Sequence, residues 1–181
     1  MDDTPPGDMD GDAPAYERRV ADAGMRPPAF IKLVVAEVVS KVRVTGQPLN
    51  HEIRWRIAKF WYGPDPSVHY ELALHENTSQ LEIGLHAEAS AERNRALYGA
   101  FDKCLLDIQK ELGTSMWLEE WDRGWMRLYE TYPLWPLDTP RVSEVAERIL
   151  EVIAVLEPIY ETIRETLGLE LILAPKAVRR R

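Results

Sequence analysis

A single cysteine, Cys104, stands among the 181 residues. It cannot form an internal disulfide, and no cysteine pair has the spacing of a zinc site. The ten glycines form no phosphate-cradling loop, and no nucleophile elbow or kinase-type motif is present. Long apolar runs are missing too: Leu33-Val34-Val35-Ala36 is typical of the longest, far short of a membrane span. The N-terminus lacks the basic and then apolar pattern of a signal peptide. These absences lead us to expect a cytoplasmic protein without a membrane segment.

Positive charge is also scarce. Lys and Arg number 22 against 30 Asp and Glu, for a net charge of −8. Phosphate backbones are bound by clustered Lys and Arg, so general nucleic-acid binding is not expected. The exceptions lie at the ends. Residues 1–12 carry five Asp and no base, and residues 176–181 carry Lys176, Arg179, Arg180 and Arg181. The sequence predicts a disordered acidic tail over 1–27, one domain over 28–173 and a basic tail over 174–181.

Within the domain, hydrophobic spacing sets the elements. Pro27 and Pro28 open a helix whose apolar positions Ile31, Val34, Val35, Val38 and Val42 recur at three and four. The stretch HEIRWRIAKFWYG alternates and reads as one strand, with Ile53, Trp55 and Ile57 on one face. In VHYELALHENTSQLEIGLHAEAS, Leu72 opposite Ile83 puts Tyr70 opposite Leu85 and Leu74 opposite Leu81. That register also sets His69 opposite His86 on the other face. Ser90 and Gly113 bound a second helix with the stripe Leu97, Phe101, Cys104, Leu105, Ile108 and Leu112. Cys104 in that stripe reads as packing. A last helix, capped by Thr139 with Pro140 at its first position, runs from Val142 to Ile163 through Pro158. The fold expected is α+β with two layers: an antiparallel sheet of about five strands, helices mainly on one face.

The segment WLEEWDRGWMRLYE holds three of the six tryptophans. With Asp122-Arg123-Gly124 as a hairpin loop, Trp121 faces Trp125, Glu119 faces Arg127 and Trp117 faces Tyr129. The aliphatic face suits the helices. The opposite face would then carry Trp117, Trp121, Trp125 and Tyr129 with the Glu119–Arg127 pair, beside His69, Glu71, His86 and Glu88. Cross-strand aromatic pairs stabilise sheets by up to about 1 kcal/mol each. An uncovered aromatic face also serves a partner or a second copy of the chain.

Two functional readings follow. The first is a non-enzymatic binding or assembly module that uses the aromatic face for a protein partner or a homodimer, with no cofactor. The alternative is a metal-dependent or acid–base enzyme at His69, Glu71, His86 and Glu88, since imidazole and carboxylate are competent ligands for zinc or a similar metal.

The order hairpin, helix, tryptophan-bearing hairpin, helix over about residues 50–165 resembles a family of uncharacterised bacterial proteins. It is similar in layout to a small domain of unknown function found beside nuclease-like domains in restriction or defence proteins. The resemblance implies a fold. No nuclease core of spaced Asp, Glu and Lys is present, so it implies no nuclease activity.

Overall fold

A computed structural model describes residues 24–42 and 48–169. The acidic tail to residue 23 and the basic tail lie outside the described residues. Helix α1 (Pro27–Lys41) is followed by strands β1 (Asn50–Arg54), β2 (Ile57–Trp61), β3 (Val68–His75) and β4 (Gln80–Ala87). Helix α2 (Ala91–Leu112), strands β5 (Trp117–Trp121) and β6 (Trp125–Pro133) and helix α3 (Thr139–Thr166) complete the order. The six strands form one antiparallel sheet in the order β1-β2-β3-β4-β6-β5. No helix among the described residues is long and apolar enough to cross a membrane.

The sixth strand corrects the sequence reading. His51 to Gly63 is two strands, because the chain reverses at Trp55 and Arg56, with Ile53 pairing Ala58 and Glu52 pairing Lys59. Trp55 takes φ 55°, a left-handed conformation that large side chains rarely adopt. The turn therefore carries none of the Gly or Asn signals by which short hairpins are recognised. It also changes which side chains share a face: Lys59 falls in one row with Glu71.

The central hairpin has the expected register, with Leu72 opposite Ile83, Tyr70 opposite Leu85, Leu74 opposite Leu81 and His69 opposite His86. The second hairpin likewise pairs Trp121 with Trp125, Glu119 with Arg127 and Trp117 with Tyr129. Its tight turn spans Asp122–Gly124, with Arg123 and Gly124 both at positive φ.

All three helices pack on the aliphatic face, α1 over β1 and β2, α3 over β3 and β4, and α2 over β5 and β6. Phe30, Phe60, Leu72, Leu85, Phe101, Met126, Leu128 and Ile153 are fully buried in the shared core. Ser90 Oγ accepts from Arg93 N to cap α2, and Gly113 at φ 103° ends it. Asp138, not Thr139, caps α3 by accepting from Arg141 N. A carboxylate there also meets the positive end of the helix dipole.

One charged pair is sunk in this apolar layer. Glu130 of β6 points to the helix side and is fully buried. Arg148 of α3 clasps both its oxygens, at 2.6 and 2.9 Å, and also donates to the Leu112 carbonyl at the end of α2. Ser115 donates a further bond at 3.0 Å. The pair thus ties β6, α3 and the end of α2 together. Arg148→Met strands a buried carboxylate and should cost about 3–5 kcal/mol in urea unfolding. Glu130→Met combined with Arg148→Met should recover most of that loss. A single-variant cost under about 1 kcal/mol would show that the pair contributes little.

Candidate metal centre

The sheet face away from the helices is not a solvated polar surface. His69 is 1% and His86 2% exposed, and Glu71 and Glu82 are also buried. Strand parity puts these groups on one side, and neighbouring side chains close over them. The two imidazoles stand 5.9 Å apart, centre to centre, and the edge of Trp121 meets His86 at 6.4 Å. Trp125 packs edge-on to Trp121 at 5.8 Å. From β2, Lys59 Nζ reaches Glu88 at 3.0 Å and Glu71 at 3.4 Å.

The ligand candidates named from sequence come together. One donor atom each from His69, Glu71, His86 and Glu88 fits within 4.8 Å of the others. His69 Nδ1 lies 2.9 Å from the Pro66 carbonyl. A carbonyl can only accept, so Nδ1 donates, and in the neutral ring Nε2 carries the lone pair. That Nε2 is buried without a hydrogen bond and lies 3.4 Å from Glu71 Oε2. An acceptor thus faces an acceptor unless a proton or a metal ion lies between them. On the other ring, His86 Nε2 sits 3.1 Å from Glu82 Oε1, while Nδ1 is turned toward Glu71 Oε1 at 3.9 Å. Each imidazole turns a nitrogen without a hydrogen bond toward Glu71, and His86 Nε2, though near Glu82, forms no hydrogen bond either. Metal-ligating histidines have their second nitrogen held by a carbonyl or carboxylate, as the Pro66 carbonyl holds His69.

Glu82 and Lys59 belong to the site, and the sequence reading missed both. Glu82 shares its strand face with His86 by simple alternation, which was a usable signal. Lys59 was hidden by reading β1 and β2 as one strand. Glu82 in turn accepts from Arg127 Nη1 at 2.8 Å. Arg127 donates its Nε to Glu119 at 2.8 Å, and its Nη2 makes a second, shorter contact there. Four carboxylates (Glu71, Glu82, Glu88, Glu119) thus meet two basic side chains, an excess of two negative charges while the rings are neutral. Burial opposes the charge on Glu71, yet His69, His86 and Lys59 around it hold its carboxyl at about 2. Glu82 is also held low, against its burial, by His86 and Arg127.

The aromatic candidates divide. Trp121 and Trp125 are tied to the centre, and Arg127 lies 5.0 Å over Trp121 and 4.0 Å over Tyr129. Trp117 stands apart at 64% exposed. Trp117, Glu119, Arg127, Tyr129 and Glu82 line a hollow of about 470 Å³ that adjoins the His–Glu cluster through Glu82. His75, at the rim, reaches Glu82 at 3.6 Å, while His51 is exposed on β1. Arg54 and Arg56 are engaged by Glu52 and Glu76 at 2.8 and 2.9 Å. Cys104 donates weakly to the Ala100 carbonyl, and burial raises its thiol pKa, as suits a packing role.

Gly84 lies between Glu71 and Tyr129 in the row across the sheet. A Cβ there would stand 2.5 Å from the Leu128 carbonyl oxygen and 2.6 Å from Tyr129 Cβ. Gly84→Ala should therefore push β4 from β6 and cost about 1–3 kcal/mol in thermal or urea unfolding. An unchanged midpoint would show that the two strands can separate freely. Comparison with family models, with curated proteins and with solved structures yields no match.

Proposed function

We propose that the chain is a metal-dependent enzyme, with a divalent cation of zinc's class held by His69, Glu71, His86 and Glu88. The observation that carries this reading is the pair of buried imidazoles whose unsatisfied nitrogens both turn to Glu71. Imidazole with carboxylate suits zinc and its neighbours better than calcium or magnesium. Four donors on zinc lie about 3.4 Å apart, so a set within 4.8 Å closes by small side-chain rotations. A cation of charge two also matches the local excess of negative charge. Bound there, it would supply Lewis acidity and an activated water. The adjoining hollow offers room for a substrate beside it, with Arg127 and Tyr129 on its wall.

Lys59 reaches both Glu71 and Glu88, and it would compete with the cation for them. Elemental analysis after zinc loading and dialysis should find one equivalent of metal, and zinc should raise the unfolding temperature. His69→Gln with His86→Gln should weaken binding by about a hundredfold or more. Lys59→Gln should strengthen it. Absence of bound metal in the wild type, with no thermal shift on adding zinc, would sink this reading.

The aromatic edge supports a second reading, self-association. Trp117 is exposed on β5, an edge strand whose outer side pairs with no other strand among the described residues. Sedimentation velocity should show a dimer that Trp117→Ala weakens while the monomer stays folded. A wild type that is monomeric at every concentration would exclude it.

A further inference from the structure

A separate cavity of about 80 Å³ lies where the β2–β3 connection meets the C-terminal half of α3. A single water needs about 10–15 Å³ on a comparable measure, so a group of several heavy atoms fits. Trp61, Tyr62, Tyr70 and Tyr160 wall it with Glu157, and the Asp65, Glu161 and Arg164 side chains also border it.

Glu157 is the unusual member. It is 3% exposed, and the Tyr70 hydroxyl donates to its Oε2 at 2.7 Å. The other buried glutamates among the described residues, Glu71, Glu82 and Glu130, each have a basic side chain or imidazole within ion-pair distance. Glu157 has none among the described residues. The nearby guanidinium groups are paired with other carboxylates: Arg93 with Asp65, and Arg164, which borders the cavity, with Glu161, both at 2.6 Å. Burial raises the pKa of its carboxyl. A buried carboxylate without an ion pair is costly, and here it borders a space lined by three carboxylates and one guanidinium, large enough for a further cation. Aromatic walls make that space more selective. Ring faces are the negative ends of the quadrupole, and desolvated aromatic cages attract alkylammonium groups more strongly than exposed rings do.

We propose that this cavity binds the head group of a small alkylammonium compound, with Glu157 as the counter-charge and Trp61, Tyr70 and Tyr160 as the aromatic wall. The site is independent of the His–Glu cluster, which lies on the opposite face of the sheet. Methylated ammonium fits this wall better than a bare ammonium or guanidinium group, which would leave donors facing rings instead of acceptors. The probe is tetramethylammonium chloride, titrated against sodium chloride at equal ionic strength and followed by calorimetry. Wild type should bind it saturably in the millimolar range. Glu157→Gln keeps an acceptor for Tyr70 and removes the buried charge, so it should fold with equal or greater thermal stability. Its affinity should fall by about tenfold or more. No saturable binding by the wild type, or equal binding by Glu157→Gln, would overturn the proposal.

Discussion

The register of β3 against β4 is the constraint on which the rest depends. Side chains alternate along a strand, so a slip of one residue would exchange the two faces of the sheet. In the register adopted, Tyr70, Leu72, Leu74, Leu81, Ile83 and Leu85 all meet the helices. Their burial supplies the driving force, at about 25 cal/mol per Å² of apolar surface. The same pairing places His69 against His86 and Glu71 against Gly84. The polar cluster is thus fixed by the core. No separate device is needed to bring two histidines together, because the leucines have already done so.

Gly84 extends that constraint sideways. It lets β6 approach β4 closely, and β6 brings Arg127 level with His86 and Tyr129 level with Gly84. Arg127 then joins the centre to the aromatic hairpin. It pairs with Glu82, which stands behind His86, and with Glu119 across the hairpin, while its planar group covers Tyr129. Charge, stacking and orientation meet in one side chain. Lysine there could not serve all three, since it lacks the planar fork. The tryptophans take their meaning from this arrangement. Trp121 packs against His86 and Trp125 against Trp121, while Trp117 remains at the open edge.

Much of this was legible where a short-range rule governs. Both hairpin registers followed from alternation and loop length, and the choice of helix-facing side followed from leucine content. The proximity of His69, Glu71, His86 and Glu88 came with the register. What stayed hidden depends on conformations that residue type opposes, or on distant contacts. Trp55 at φ 55° turns the chain where alternation suggests continuity, and that turn governs the position of Lys59. Glu157 sits in an α3 stretch that reads as an ordinary exposed helical position, and only the packing of α3 on Tyr70 buries it. The burial of the polar face was hidden for a similar reason. Nothing in a strand's own sequence says whether flanking rings and a lysine will close over it.

The two buried acidic settings on opposite faces obey one physical rule with different outcomes. Glu130 is matched by a forked Arg148 and a serine, so every strong acceptor has a donor, and the group acts as a fastener. Glu71 has charge around it but faces imidazole nitrogens that lack hydrogen bonds, so its surroundings are incomplete without a proton or a metal ion. Apolar replacements of similar size would often be as stable as such groups, so burial alone does not explain their presence. Glu130 can be understood from the fold, because it joins three elements. Glu71 with its histidines joins only adjacent strands that the leucines already hold. Stability therefore accounts for the first, and the second is the setting on which the proposed metal site rests.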